Sequence, residues 1–279
     1  MGNARVRSIH VHPVKAFRSL PLREVAVERW GPAGDRRWTL IDAGGKVVTQ
    51  RRHPRLALAV AEPLPGGGVV LSAPGRDPVT VPVPVPVPAP GATVPADVFG
   101  DKVEVVPAED AAVHAWCSDF LDTPVRLVHL DDPAVRRPVD PAYALPGETV
   151  TFADGYPLLL TTTASLDRLN SLIAHGEHAH EGPLPMSRFR PNVVVEGTEA
   201  WAEDGWTRVT IGEMTFRVPK PSGRCVVTTT DQDTARRGRE PLHTLGRHRS
   251  LGGRLLFGVN LVPVSPGTLR VGDPLEVVA

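Results

Sequence analysis

The sequence predicts a mainly β protein with a few helices, folded as two β-rich halves. Three observations point there. Thirty prolines and 26 glycines cut the 279 residues into short pieces, and both residue types end regular elements, one by fixing φ and one by freeing it. Between these breaks lie short runs rich in valine, leucine and threonine that alternate at the strand period of two. Apolar residues at helical spacing, by contrast, recur in only two stretches.

Taken in order, the first strands are expected over 6–14, 24–28, 38–41, 46–50 and 56–60. In the last of these Leu56, Leu58 and Val60 point one way, and Ala57 and Ala59 the other. Asp42-Ala43-Gly44-Gly45 supplies a hairpin turn. Strands over 69–72, 79–81 and 103–106 follow, with turns at Pro74-Gly75 and Gly100-Asp101. The first hundred residues thus read as a small β-barrel or sandwich. Residues 82–95 alternate valine with proline. Proline removes ladder donors, so an extended surface segment or protected edge is expected there, with a proline-recognition ligand as the alternative.

A helix over 110–121 follows, capped by Asp110, with Val113, Trp116, Phe120 and Leu121 on one face. Cys117 lies beside that face and is assigned to packing. After a strand over 125–130 comes a polar, proline-broken segment, 131–148, where the domain boundary is expected. The division is into residues 1–121 and 122–279. A short apolar strand, 158–160, leads through three threonines into a helix over 164–174 that buries Leu166, Leu169 and Ile173. Strands are further expected over 191–195, and in a hairpin of 208–211 with 214–218 that turns Met214, Phe216 and Val218 inward. A charged loop over 234–249 precedes the closing strands, 260–264 and 269–278.

Composition narrows the function. Apolar content of 41% and charged content of 22% suit a globular protein. Basic and acidic residues number 31 each, so no overall field favours nucleic acid or an anionic membrane, and any anion site must be local. Two cysteines fit a reducing compartment better than a disulfide scaffold. No signal peptide and no bilayer-spanning run is visible, so a cytoplasmic location is expected. His175, His178 and His180 invite a metal, but no nearby cysteine or aspartate completes a shell, and a solvated loop is expected. No Gly-x-Ser-x-Gly elbow occurs, and Gly66-Gly67-Gly68 lacks the helix that a phosphate loop needs.

The basic residues say more. Lys15 ends a strand, Arg36 and Arg37 precede one, and Arg190 stands before Pro191-Asn192. Strand ends are where a barrel mouth presents side chains, and the arginine fork suits phosphate. Pro219-Lys220-Pro221-Ser222-Gly223-Arg224 reads as an irregular loop, and the β-branched run 226–230 as a strand. Cys225 then falls at the junction, near Lys220 and Arg224. Two readings stand: a small buried hydrophobe, or a thiol whose cationic neighbours favour the metal-ligating thiolate.

Several stretches carry a resemblance. His12-Pro13-Val14-Lys15, Asp35-Arg36-Arg37-Trp38, the run from Thr49 to Leu56, Phe189-Arg190-Pro191-Asn192, Arg224-Cys225 with Thr228-Thr229-Thr230-Asp231, Arg239-Glu240-Pro241-Leu242 and Val271-Gly272-Asp273-Pro274 together resemble the MOSC-domain family. The resemblance is to members with an N-terminal MOSC β-barrel domain, such as the amidoxime-reducing components, and covers essentially the whole chain. It implies a MOSC N-terminal barrel packed on a MOSC barrel, with a molybdenum cofactor between them. Cys225 would be the thiolate on the metal. Lys15, Arg36 and Arg190 would contact the phosphate and pterin, Thr162, Ser165 and Asn192 would add hydrogen bonds, and Ser222, Gly223 and Arg224 would line the metal loop. Ala16 and Gly223 depart from the family, which often has serine at both positions.

The resemblance further implies a molybdenum-dependent oxidoreductase acting on small N-hydroxylated compounds such as amidoximes. The rivals are a carrier or sulfur-transfer protein for the cofactor, and a β-barrel interaction module that uses the proline-rich strip. No dinucleotide fingerprint and no four-cysteine set is present. Electrons are therefore expected from a separate ferredoxin, flavoprotein or cytochrome. Arg236-Arg237-Gly238-Arg239 offers that donor a basic docking patch, or is simply a solvated loop.

Overall fold

A computed structural model describes residues 4–84 and 93–278. It is mainly β, with its strands in four sheets. The largest sheet has ten strands and interleaves both ends of the chain. Leu20–Leu22 pairs with Arg5–Val11, and that strand pairs with Val193–Glu196 through Ile9 opposite Val193. The order continues through Leu158–Thr162, Arg254–Pro263, Met214–Arg217 and Arg208–Ile211 to Leu275–Val278. One face buries Val6, Ile9, Leu160, Val195, Phe216 and Leu261 in a single core, as strand alternation requires.

A second sheet joins Trp38–Asp42, Val125–His129, Asp101–Pro107 and Val94–Val98. Two three-stranded sheets complete the set, one of Val60–Pro63, Val69–Ala73 and Arg76–Val81, the other of Gly267–Arg270, Glu24–Glu28 and Gly31–Pro32. Helix α1 (Ala111–Leu121) begins where Asp110 accepts a bond from the Ala112 amide, and buries Val113, Cys117, Phe120 and Leu121. The short α2 (Pro133–Arg136) lies in the proline-broken segment. Helix α3 (Thr163–Ala174) connects Leu158–Thr162 to its parallel neighbour Val193–Glu196.

The structure corrects several expectations. None of the sheets, among the described residues, closes into a barrel. Two of the sheets also mix distant sequence, with Arg5–Val11 beside Val193–Glu196 and Gly267–Arg270 beside Glu24–Glu28. The expected strand 56–60 begins as a 3-10 turn, Pro54–Leu58, because Pro54 sits at a first-turn position suited to its fixed φ. Residues 46–50 make only isolated bridges, at Lys46 and Val47. The expected strand 226–230 is a second 3-10 turn, Val226–Thr229. There the Thr228 hydroxyl donates to the Cys225 carbonyl and the Thr229 hydroxyl to that of Val226, at 2.9 and 2.8 Å. Such local bonds compete with a ladder.

The charged loop over 234–249 contains α4 (Leu242–His248). The strand expected from 260 starts at Arg254, and the segment expected over 269–278 splits into Gly267–Arg270 and Leu275–Val278. Of the valine–proline segment, residues 85–92 lie outside the described residues. Pro95, at its end, stands on the edge strand Val94–Val98, the position where proline costs no ladder bond. Among the described residues no helix is long and apolar enough to cross a membrane.

Candidate functional site

A cavity opens where the strand ends of both halves meet, and its wall is strongly basic. Lys15, Arg36, Arg51, Arg190 and Arg224 line it together with Cys225, and a single carboxylate, that of Asp154, faces them. Each cation is placed by backbone outside the regular ladder. Lys15 follows Val14, which bridges to Trp38, and its amide donates to the Trp38 carbonyl at 2.8 Å. Arg36 and Arg190 both adopt left-handed backbone, with φ of 48° and 55°, an uncommon state for arginine that aims both side chains into the cavity rather than along a strand. The Arg224 amide is tied to the Leu255 carbonyl at 2.7 Å.

Their side chains are only partly satisfied. The Lys15 ammonium, buried, donates to the Phe152 carbonyl and to Asp154, each at 2.5 Å. Burial still pushes its pKa down to about 8, against the pull of Asp154. Arg36 pairs with the buried Asp35 and reaches Asn192 Oδ1 at 3.3 Å. Burial would raise the Asp35 carboxyl, but Arg36 and His12 hold it at about 2. Arg190 gives one nitrogen to Gln232 at 3.2 Å, while its Nη2 is buried without a partner. Burial and the facing Arg36 lower Arg190 to about 9. Arg224 bonds Ser222 and the Phe189 carbonyl at 3.0 and 2.7 Å, leaves Nε without a partner, and is lowered to about 10, chiefly by burial. A wall of largely enclosed, mutually repelling cations with two unused donors has the chemistry to hold a polyanion.

Cys225 stands immediately before the turn Val226–Thr229, half-buried. Its Sγ lies 3.8 Å from Arg51 Nη2. Arg51 is itself braced, because Arg237 donates to the Gln50 and Arg51 carbonyls at 2.5 and 2.6 Å. Its guanidinium lies over the Phe99 ring, 4.6 Å from the centroid, and the Lys15 ammonium lies 4.9 Å from the same ring.

Of the residues singled out in the sequence, Lys15, Arg36, Arg190, Asn192, Ser222, Gly223, Arg224 and Cys225 all line the cavity. Thr162 and Ser165 do not. Both are fully buried at the start of α3, where Thr162 Oγ1 accepts from the Ser165 amide and both hydroxyls donate to Glu203. Glu203 is enclosed and its pKa is raised by burial, so these hydroxyls serve a buried carboxyl rather than the cavity. Arg37 turns away to the Leu130 and Asp131 carbonyls, and Lys220 pairs with Asp140 at 3.3 Å and lies over Tyr143. At Gly223 an added Cβ would meet only Arg254 Cδ, at 3.9 Å, so the serine common in the family would fit. Arg51, Phe99 and Asp154 were missed. Only Arg51 carried a signal, its place in the Thr49 to Leu56 stretch.

The fold and the cavity define a class: a β-rich protein that sets one thiol in the wall of a strongly basic pocket. Residues 3–124 match the MOSC N-terminal beta barrel domain and residues 147–276 the MOSC domain. Mitochondrial amidoxime-reducing component 1 of Homo sapiens is 32% identical over 286 residues, covering 97% of this chain and 82% of that protein. The Danio rerio protein of the same name is 32% identical over 283 residues, covering 97% and 83%. Molybdenum cofactor sulfurase of Oryza sativa is 28% identical over 276 residues, covering 94% of this chain but 33% of that longer protein. The chain belongs to the MOSC-domain family, in the form that carries the N-terminal β-barrel domain ahead of the MOSC domain.

Proposed function

We propose that this protein is a molybdenum cofactor-dependent oxidoreductase that reduces N-hydroxylated compounds such as amidoximes. The observation that carries the proposal is Cys225, the one half-exposed thiol, set in a wall of five cations and one carboxylate. The fit to the cofactor is chemical. A thiolate is a soft ligand suited to a metal that changes oxidation state. Lys15, Arg36, Arg190 and Arg224 offer a phosphate the charge, and Arg190 and Arg224 the unused N–H groups, that an anion needs. When bound, the cofactor supplies a metal able to deliver two electrons as the N–O bond is reduced to N–H with release of water.

The chain's own residues bind and orient. Cys225 anchors the metal side, and Arg51 beside it steadies negative charge on sulfur. Asn192 and Asp35 fix Arg36 toward the pocket. Asp154, beside Lys15 and 68% exposed, is held well below the usual carboxylate range by Lys15, Arg51 and Arg36, so it stays ionised and fixes the Lys15 ammonium at the mouth. Electrons come from a separate donor protein, a ferredoxin, flavoprotein or cytochrome.

A second reading, a carrier or sulfur-transfer protein for the cofactor, draws support from the likeness to the plant sulfurase. One assay separates them. Molybdenum-loaded protein should reduce benzamidoxime with a dithionite-reduced viologen dye and not with NADPH alone. Full molybdenum occupancy without turnover by either reductant favours the carrier, and turnover with NADPH alone overturns the separate donor.

A further inference from the structure

The histidines that the sequence left on a solvated loop gain partners from elsewhere in the fold. Glu177 and His178, just beyond α3, meet His243 in the first turn of α4. The three side chains each offer one ligand atom, and these atoms all lie within 4.8 Å of one another. His178 Nε2 and His243 Nε2 are both buried without a hydrogen-bond partner. The two rings stand edge to face, with centroids 4.7 Å apart. Glu177 Oε1 accepts from Arg247 at 2.5 Å, but Oε2 lies 3.8 Å from His243 Nε2, too far for a hydrogen bond. Three good donors thus face one another without bonding to each other, and two ring nitrogens among them are left unsatisfied.

We propose that Glu177, His178 and His243 form a binding site for a divalent transition cation of the zinc class, separate from the Cys225 cavity. Two imidazoles and a carboxylate are a borderline-soft set that suits zinc and disfavours calcium or magnesium, which take oxygen. Ligand atoms around tetrahedral zinc stand about 3.3 Å apart for bonds of ~2.0–2.1 Å, so closure needs rotamer shifts of roughly an ångström and no backbone rearrangement. The backbone is already fastened. Glu181 accepts from the Arg239 and Glu240 amides at 2.9–3.0 Å, which pins the loop after α3 against the approach to α4. The Glu240 carboxylate in turn accepts from the Thr244 amide and hydroxyl, fixing the first turn of α4. Arg247 keeps Oε1 and orients the carboxylate, as outer partners of metal ligands do, while Oε2 turns to the ion.

His180, exposed, with its ring 6.2 Å from that of His178, stands near enough to fill an open position. His175 is not among the clustered ligand groups, and its Nδ1 donates to the Ser171 carbonyl at 2.7 Å. The ion would clasp α4 to the exit of α3.

The test is calorimetric titration of Zn2+ into chelator-treated full-length protein, with Co2+ absorption as the geometric readout. The background is Cys225→Ala, which removes the half-exposed thiol as a competing soft ligand. One saturating equivalent is expected, with a visible Co2+ spectrum of tetrahedral or five-coordinate type. His178→Ala and His243→Gln should each weaken it at least ~tenfold, while His175→Ala leaves it unchanged. Melting temperature without metal, equal to the parent in each variant, shows that the fold is kept. No saturable binding at millimolar Zn2+, or equal affinity in the double variant of His178 and His243, overturns the proposal.

Discussion

The two cysteines sit in opposite surroundings, and the contrast shows what makes one of them chemical. Cys117 is buried on α1 among Val113, Phe120 and Leu121, and burial alone pushes its thiol up to about 12. It is an inert hydrophobe there. Cys225 instead stands at the head of the 3-10 turn Val226–Thr229. It opens on a cavity, has Arg51 at 3.8 Å, and its carbonyl accepts a bond back from the Thr228 hydroxyl. The same side chain is packing in one place and a candidate ligand in the other. The difference lies in what the backbone turns toward it.

The sharpest way to break the contrast is to remove each thiol. Cys225→Ala should abolish N-reductive turnover while leaving the melting temperature near that of the parent. Cys117→Ala should keep turnover and lose stability by about 1–2 kcal/mol, the cost of a small core cavity. Loss of activity in both variants, or in neither, would erase the distinction.

The next largest effect separates cavity cations from hydroxyls behind them. Alanine at Lys15, Arg36 or Arg190 removes a charge-assisted bond of roughly 1.5–3 kcal/mol, so cofactor affinity should fall about tenfold or more. Bound molybdopterin after gel filtration measures this. Ser165→Ala should retain the cofactor and instead lose about 1–3 kcal/mol of stability, because Glu203 forfeits a buried partner. Retention at the parent level in all three cation variants would move the site elsewhere.

The smallest effect is in pH. Lys15 sheds its proton near pH 8 in the folded protein, against 10.5 for an ordinary lysine. Between those values the unfolded chain binds more protons, so Lys15 makes the stability of cofactor-free protein rise with pH there. Cys117 works oppositely. Its folded thiol keeps its proton to about 12 against 9.0, so it makes stability fall above pH 9. In urea midpoints taken across this window, Lys15→Met should flatten the rise and Cys117→Ala should remove part of the later fall. Unchanged profiles would mean that neither group is as enclosed as the structure has it.

Most β elements were legible because burial follows local alternation, as in Trp38–Asp42 and the hairpin of Arg208–Ile211 with Met214–Arg217. Errors fell where a side chain competes with the ladder, at Pro54 and at Thr228 and Thr229. Helix α4 was missed because it is short, contains Gly246, and takes its cap from Glu240 before a proline. In the site, the residues named from motifs mostly converge. Thr162 and Ser165 did not, since their type cannot tell a pterin from a buried glutamate. Arg51 lies 174 residues from Cys225, and His243 lies on a different element from His178, far outside any local pattern. Neither contact is written in spacing.

The central claim, that Cys225 is the protein's ligand to molybdenum, is tested most directly by X-ray absorption at the molybdenum edge. Loaded parent protein should show one more sulfur neighbour than loaded Cys225→Ser, with Cys117→Ala identical to the parent. An equal sulfur count in the parent and the Cys225 variant would contradict it.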